Sequence, residues 1–316
     1  MGGKDYGCIL VTGASGDIAD AIGRIIGERY PDTRLVGSDA GSEWPGRTVF
    51  AEMHGLPLAS HLDYPAALAD LAAASEAELV IPTNEHELRR LAYDPGVAAG
   101  LPLLMNPPEA LLPFLNKLDT VRWLRAAGLP SPRTCLLAEA GPGDLPLVAK
   151  PICGSGSRQI LVVRSREQLT AARQILGDEA IAQELLEAAQ AEFTCALVRP
   201  AGRLLLLAMR RKLLGGLSSE IRIEQHDEID ALLTEIDAAL PDYIALNVQL
   251  RLTQDGPRIF EINPRISSTA MLRHRAGFED LVWLIEARLG RPVPERFDPP
   301  VGLRVFRRFT EVVVPA

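Results

Sequence analysis

Four residues in the last third of the chain have types and spacing suited to metal and phosphate chemistry: Gln249, Glu261, Asn263 and Arg265. In the stretch from Tyr243 to Leu252, apolar residues alternate with others. Ile244, Leu246, Val248, Leu250 and Leu252 take one face of a strand, and Ala245, Asn247, Gln249 and Arg251 the other. Asp255-Gly256 is a tight-turn signal. The strand after it, Arg258 to Asn263, is expected to put Phe260 and Ile262 on the core face and Glu261 and Asn263 opposite. Folding this hairpin gathers Gln249, Glu261 and Asn263 on one face, with Arg265 leaving just past Pro264. A solvated hairpin face by chance would carry Lys, Thr and Glu. Amides beside a carboxylate and a guanidinium instead suit an oxygen-ligated metal next to a phosphate-reading arginine.

A second set of candidates lies upstream. Leu147 to Lys150 is an apolar strand ending in lysine, and ICGSGSR (152–158) links it to another strand, Gln159 to Arg164. The glycine loop thus joins two strands and lacks the Gly-Lys-Ser/Thr ending of a P-loop. Its Gly and Ser residues can turn several backbone N–H groups toward phosphate oxygens, and so light a loop can move as a lid. An ordinary glycine hairpin is the plainer reading, but it leaves the neighbouring lysine unexplained. Asn116-Lys117 precedes a helix from Asp119, its expected N-cap, to Ala127. Ile181 to Leu186 reads as a strand carrying Gln183 and Glu184. Phe193 to Val198 and Arg203 to Arg211 read as a hairpin that ends in Arg210-Arg211-Lys212. That cluster is either a solvated strand end or a set of cations facing phosphate.

The elements that must carry these groups begin with a βαβ pattern. Cys8 to Thr12 is strand-like, GASGDIA (13–19) a glycine-rich turn, and Ile18, Ile22, Ile25 and Ile26 the buried stripe of a helix. Arg34 to Gly37 is the next strand, with Asp39 at its end. Two readings stay open: a dinucleotide site, or glycines that only close a tight strand-to-helix turn. A short-chain dehydrogenase would add Tyr-x-x-x-Lys, and none of the five tyrosines has Lys four residues on. Leu79 to Ile81 is a buried strand running into Pro82-Thr83-Asn84-Glu85. Residues just past a parallel strand face the ligand crevice, which makes Thr83, Asn84 and Glu85 substrate candidates. Local sequence favours a helix N-terminus there, with Asn84 as cap and Glu85 complementing the dipole. Asn106-Pro107-Pro108 breaks the pattern and marks a unit boundary.

Composition narrows the function class. The 316 residues suffice for two or three compact units. A net charge of −8, with no basic stripe, speaks against duplex binding. The four cysteines are far apart and lack a C-x-x-C pair, as reduced cytosolic thiols do. No signal-peptide pattern opens the sequence, and no apolar run approaches the roughly 18 residues that span a bilayer. The expectation is a cytoplasmic protein with no nucleic-acid or membrane partner.

Four segments together resemble the ATP-grasp superfamily: NKLDTVRWLRAAGLPSP (116–132), LVAKPICGSGSR (147–158), AQELLEAAQAEFT (182–194) and NVQLRL…FEINPRISS (247–268). The likeness is to the ATP-binding halves of the carbamoyl-phosphate synthetase large subunit and to stand-alone ligases on that plan. The resemblance implies an α/β fold. A Rossmann-like pre-ATP-grasp domain would span 1–107, a small lobe with the glycine-rich lid hairpin 108–187, and a large lobe with the metal site and a C-terminal strand 188–316. It further implies ATP between two small sheets, with Mg²⁺, or Mn²⁺ in its place. Lys117 and Lys150 match the lysines on the phosphates, Gly154, Ser155, Gly156 and Ser157 the lid, and Gln183 and Glu184 the adenine pocket. Glu192 matches the acid near the ribose, and Arg211 aligns loosely with a phosphate contact. Gln249, Glu261 and Asn263 match the metal face, and Arg265 the arginine on the transferred phosphoryl group. Ser267, Ser268 and Arg273, with Thr269 and His274, either line an acceptor pocket or only shape a loop. The implied activity is an ATP-dependent carboxylate–amine ligase working through an acyl phosphate, with small-molecule substrates and a homodimer expected. Its rivals are a kinase-like enzyme that stops at phosphoryl transfer, a non-catalytic nucleotide-binding protein and an NAD-dependent oxidoreductase.

Overall fold

Three sheets build the protein, seen in a computed structural model that describes residues 4–41, 49–154, 159–177, 179–186, 191–240 and 242–308. The first sheet is parallel, in the order β3-β2-β1-β4, from β1 (Cys8–Thr12), β2 (Arg34–Asp39), β3 (Glu52–Gly55) and β4 (Leu79–Ile81). Every residue of β1 is buried, as expected for a parallel strand covered on both faces. Ile9 and Val11 pack with Ile22, Ile25 and Ile26 of helix α1 (Asp17–Arg29). Cys8 and Leu10 pack with Tyr64 and Leu68 of α2 (Tyr64–Ala74) on the other side. Helix α3 (Glu85–Tyr93) starts directly past β4, and two short helices, α4 (Pro95–Ala98) and α5 (Pro108–Leu111), lead out of this unit.

The second sheet is antiparallel, in the order β5-β8-β6-β7, from β5 (Thr134–Leu136), β6 (Leu147–Pro151), β7 (Leu161–Val163) and β8 (Ala180–Glu184). Leu147, Ala149, Val163 and Ala182 pack with Leu169 and Ala172 of α7 (Arg166–Leu176). The helix before this sheet, α6 (Lys117–Ala126), starts two residues earlier than expected. Its cap is Asn116, not Asp119: the Leu118 N–H donates to Asn116 Oδ1 at 2.8 Å.

The third sheet runs β13-β12-β9-β10-β11-β14. Its strands are β9 (Glu192–Val198), β10 (Leu205–Leu214), β11 (Leu217–Ile223), β12 (Ala245–Thr253), β13 (Gly256–Asn263) and β14 (Arg304–Phe306). One face buries Leu246, Val248 and Leu250 against Ile229, Leu232, Leu233 and Ile236 of α8 (Asp227–Ala239). On the other face, a single core joins Ala196, Val198, Leu207 and Met209 to α1 and to α10 (Asp280–Arg288), which follows the short α9 (Ala270–Arg275). The first unit is thereby fixed to the third. The expected C-terminal strand is seen as β14, and 309–316 lie outside the described residues. No helix among the described residues is long and apolar enough to cross a membrane.

One departure from strict alternation reaches the site. Gln249 pairs with Glu261, but Leu250 pairs with Ile259, so Phe260 is the extra residue of a β-bulge. The bulge resets the period. Ile259 and Ile262 take the core positions, and Phe260 turns out of the core it was expected to join.

Candidate functional site

The cleft between the second and third sheets is organised by Lys150, at the end of β6 and only 6% exposed. Its ammonium donates to Gln183 Oε1 at 2.9 Å and lies 5.7 Å from the centre of the Phe260 ring. Burial pulls the Lys150 pKa down to about 8; Glu261 and Glu192 oppose that shift and Lys117 adds to it. These four charges therefore sense one another across the cleft. Lys117, at the first turn of α6, donates to the Gly154 carbonyl oxygen at 2.6 Å, and so ties the helix to the start of the glycine hairpin. Gly154 sits at φ +108, in the region that favours glycine. Ser155, Gly156 and Ser157 lie outside the described residues.

Gln183 and Glu184 are neighbours on β8, and strand alternation sends them to opposite faces. Gln183 faces Lys150 and also donates to Thr134 Oγ1 at 3.1 Å. Glu184 instead accepts from the Arg133 N–H at 3.0 Å, beside a cavity of about 190 Å³ that Cys135 and Leu147 also line.

Across the cleft, Glu192 is held by two arginines. Its Oε1 accepts from Arg211 at 2.6 and 2.9 Å, and its Oε2 from Arg251 at 2.9 and 3.2 Å. Burial pushes the Glu192 carboxyl up, but Arg211 and Arg251 outweigh it and hold the group below its ordinary value. Arg211 reaches further, donating to Gln249 Oε1 at 2.8 Å. Arg251 also donates to the Leu186 carbonyl at 2.8 Å. At the end of β13, Asn263 Nδ2 donates to Glu261 Oε1 at 3.1 Å. Just past it, Arg265 donates from Nη1 to the Ile266 carbonyl at 3.2 Å, and its Nη2 stands 3.8 Å from Glu85 Oε1 of the first unit. Its Nε is buried with no hydrogen-bond partner among the described residues.

Residues 114–269 match the family described as the ATP-grasp domain. The chain contains an ATP-grasp domain. No curated protein matches the sequence at significance. Solved structures share the fold at low identity. N5-carboxyaminoimidazole synthetase from Staphylococcus aureus, complexed with ADP, matches with a TM-score of 0.75 and 15% identity, over 95% of this chain and 82% of that one. The biotin carboxylase domain dimer of the Hydrogenobacter thermophilus 2-oxoglutarate carboxylase, with MgADP, ADP and bicarbonate, matches with a TM-score of 0.73 and 17% identity, over 95% and 74%. N5-carboxyaminoimidazole synthase from Aspergillus clavatus, with ADP and 5-aminoimidazole ribonucleotide, gives a TM-score of 0.72 and 17% identity, over 92% and 78%.

Within the ATP-grasp domain, the donor set can be tested against a magnesium ion. Glu261 supplies a carboxylate and Asn263 an amide oxygen, both hard ligands. Gln249 shares their face, but its oxygen accepts from the Arg211 cation, so it fits only once Arg211 turns away. No cluster of three or more His, Cys, Asp or Glu side chains suited to a metal occurs among the described residues. So sparse a set fits an ion that completes its octahedron with phosphates and water.

Several acceptor candidates have partners within the protein. Arg273 is 2% exposed; its Nη1 pairs with Asp280 Oδ2 at 2.9 Å, and its Nη2 donates to Asn247 Oδ1. Both terminal nitrogens are thus engaged inside the protein, while its buried Nε has no partner among the described residues. Ser267 is 3% exposed, accepts from the Thr269 N–H at 3.1 Å and shapes a turn. Ser268 presents its carbonyl to Arg307, which also stands 3.3 Å from Asp17. Thr83 donates to the Thr12 carbonyl at 2.8 Å, and Asn84 caps α3 by accepting from the Glu87 N–H at 2.9 Å. Of the three residues past β4, Glu85 alone reaches Arg265. Asp39 accepts from the Ser15 N–H at 2.8 Å and the Ala40 N–H at 2.7 Å, which fits the tight-turn reading of the glycines.

Sequence reasoning missed Phe260, Arg251 and Glu87. Arg251 was legible only as sharing a strand face with Gln249. Glu87 is 5% exposed and accepts from Thr12 Oγ1 at 2.6 Å. Burial pushes its carboxyl up to about 7 against the pull of the Thr12 hydroxyl. Nothing local in the sequence signals that burial.

Proposed function

We propose that the protein is an ATP- and Mg²⁺-dependent ligase that joins a small-molecule carboxylate to an amine or ammonia through an acyl phosphate. The observation that carries this reading is Arg265, whose buried Nε, just past the Glu261–Asn263 pair, lacks a partner among the described residues. An unmatched guanidinium N–H is a site for an oxyanion. A transferred phosphoryl group spreads negative charge over its oxygens, and a fixed arginine stabilises that charge.

In this reading Lys117 and Lys150 bind the triphosphate, Gln183 aims Lys150, and residues 154–157 cover the phosphates. Glu261 and Asn263 hold magnesium, joined by Gln249 when Arg211 moves. Bound there, the ion would neutralise phosphate charge. Glu192, already tied to Arg211 and Arg251, shapes the nucleotide pocket through them. The units 1–107, 108–187 and 188–316 are part of the proposal, and each sheet is drawn from one of them. So are a cytosolic location, which four free cysteines suit, and a homodimer.

The test is ADP release with Mg²⁺ over a panel of carboxylic acids, each with and without amines. Release that needs both an acid and an amine is expected. Release with an acid alone, leaving a stable phosphorylated product, would replace the ligase by a kinase-like enzyme. Tight NAD binding with no ATP binding would overturn both.

A further inference from the structure

The acceptor side of the cleft holds two unmet hydrogen-bonding demands, one on Arg265 and one on Glu85. The first is the donor Arg265 Nε, buried without a partner among the described residues. The other is the Glu85 carboxylate. Its side chain is only 19% exposed, its nearest cation is Arg265 Nη2 at 3.8 Å, and no hydrogen bond reaches it among the described residues. That separation is too long for a direct hydrogen bond. An ionised carboxylate only accepts, and a guanidinium only donates. The ligand that satisfies both presents an N–H donor beside an oxyanion. An amine next to an acyl phosphate has that pattern.

The other acids near the cleft are already engaged. Glu192 is paired with two arginines, Glu261 is bonded to Asn263, and Glu87 is buried against Thr12. Glu85 sits at the first position of α3, where a carboxylate complements the helix N-terminus.

We propose that Glu85 receives the attacking amine and takes its proton, an assignment that rests on the ligase reading above. The ammonium gives one proton to the Glu85 carboxylate. The freed amine then forms the C–N bond at the acyl carbon. The C–O bond to phosphorus breaks, its electron pair leaves with phosphate beside Arg265, and the second nitrogen proton goes to that phosphate. The products are an amide, hydrogen phosphate and protonated Glu85, so atoms and charge balance.

The test uses the full chain, Mg-ATP and the acid that gives the strongest ADP release, with methylamine or hydroxylamine as acceptor. Methylamine arrives protonated at neutral pH, whereas hydroxylamine is largely neutral. In Glu85→Gln, amide formation from methylamine is expected to fall about 10²–10⁴-fold, the usual worth of a positioned base. Hydroxamate formation should fall far less. Glu85→Asp, which keeps the acid, should recover part of the methylamine rate. Equal losses with both acceptors, a wild-type methylamine rate in Glu85→Gln, or no recovery in Glu85→Asp would each overturn the assignment. If the wild-type protein releases no ADP with any acid, the ligase reading itself fails, and by a different readout.

Discussion

Lys150 Nζ stands 2.9 Å from Gln183 Oε1, with the Phe260 ring 5.7 Å from the same ammonium. The lysine is thus held by a neutral oxygen and an aromatic face, and no carboxylate lies within ion-pairing distance among the described residues. Such a setting tolerates the cation at a cost and leaves its charge for an anionic ligand.

That setting makes nucleotide binding pH-dependent. Burial draws the Lys150 pKa down to about 8 from its ordinary value of 10.5. ADP affinity should be flat below about pH 8 and weaken above it as the ammonium deprotonates. Stability of the ligand-free chain moves the other way. Between about 8 and 10.5 the unfolded chain keeps a proton that folded Lys150 has lost, so this group's contribution rises with pH there. Calorimetric ADP titrations from pH 6.5 to 9.5 check the first part. Lys150→Met should weaken binding and remove the break near pH 8, and a break that survives in it belongs to another group.

Arg265→Ala is expected to fold and to bind ATP, yet to lose turnover by about 10²–10³, the usual loss when one electrostatic contact to a transition state is removed. Measuring kcat alongside ADP affinity separates the two. Unchanged turnover would remove Arg265 from the chemistry.

The fold was legible where periodicity alone decides it. Leu246, Val248 and Leu250 reached the α8 core, and Asn247 and Gln249 took the opposite face, as alternation required. The reading slipped at Phe260, because a bulged residue breaks strict alternation at its own position and leaves no mark in composition. Strands β3, β5 and β11 went unread; the first has an exposed end, the second spans only Thr134–Leu136, and the third mixes Ser, Glu and Arg with three apolar residues. At the site, residue type singled out Lys150, Glu261 and Arg265 as candidates. Type could not tell that Arg273 closes on Asp280 seven positions away, or that Glu87 meets Thr12 from 75 positions away. Burial of a charge is settled by tertiary partners.

Arg273 and Asp280 make a separable prediction. Their side chains are 2% and 3% exposed, and the pair lies behind Asn247, which also accepts from Thr194 Oγ1 at 2.9 Å. Arg273→Met removes the cation and strands the Asp280 carboxylate. A loss of about 3–5 kcal/mol follows from breaking one side of a buried pair. Replacing both partners, Arg273→Met with Asp280→Leu, should recover much of it. Denaturant unfolding of the three variants reads this out. A single variant of undiminished stability with a raised KM for the carboxylate would return Arg273 to the substrate pocket.

Glu87 gives the opposite pH sign to Lys150. Its carboxyl is raised to about 7 from 4.5, because burial disfavours the charged form more than the Thr12 hydroxyl supports it. Between those values the folded chain holds a proton that the unfolded chain has released. The stabilising contribution is therefore complete below about pH 4.5 and is lost as pH rises through 7. The swing is about 3 kcal/mol if the whole shift is expressed. Glu87→Gln keeps the neutral shape and cannot ionise, so its stability relative to wild type should climb between pH 5 and 8. Thr12→Val should widen the swing, since the Thr12 hydroxyl opposes the rise that burial causes. Parallel unfolding curves of Glu87→Gln and wild type, with a difference that does not change with pH, would place Glu87 in contact with water and contradict its burial against β1.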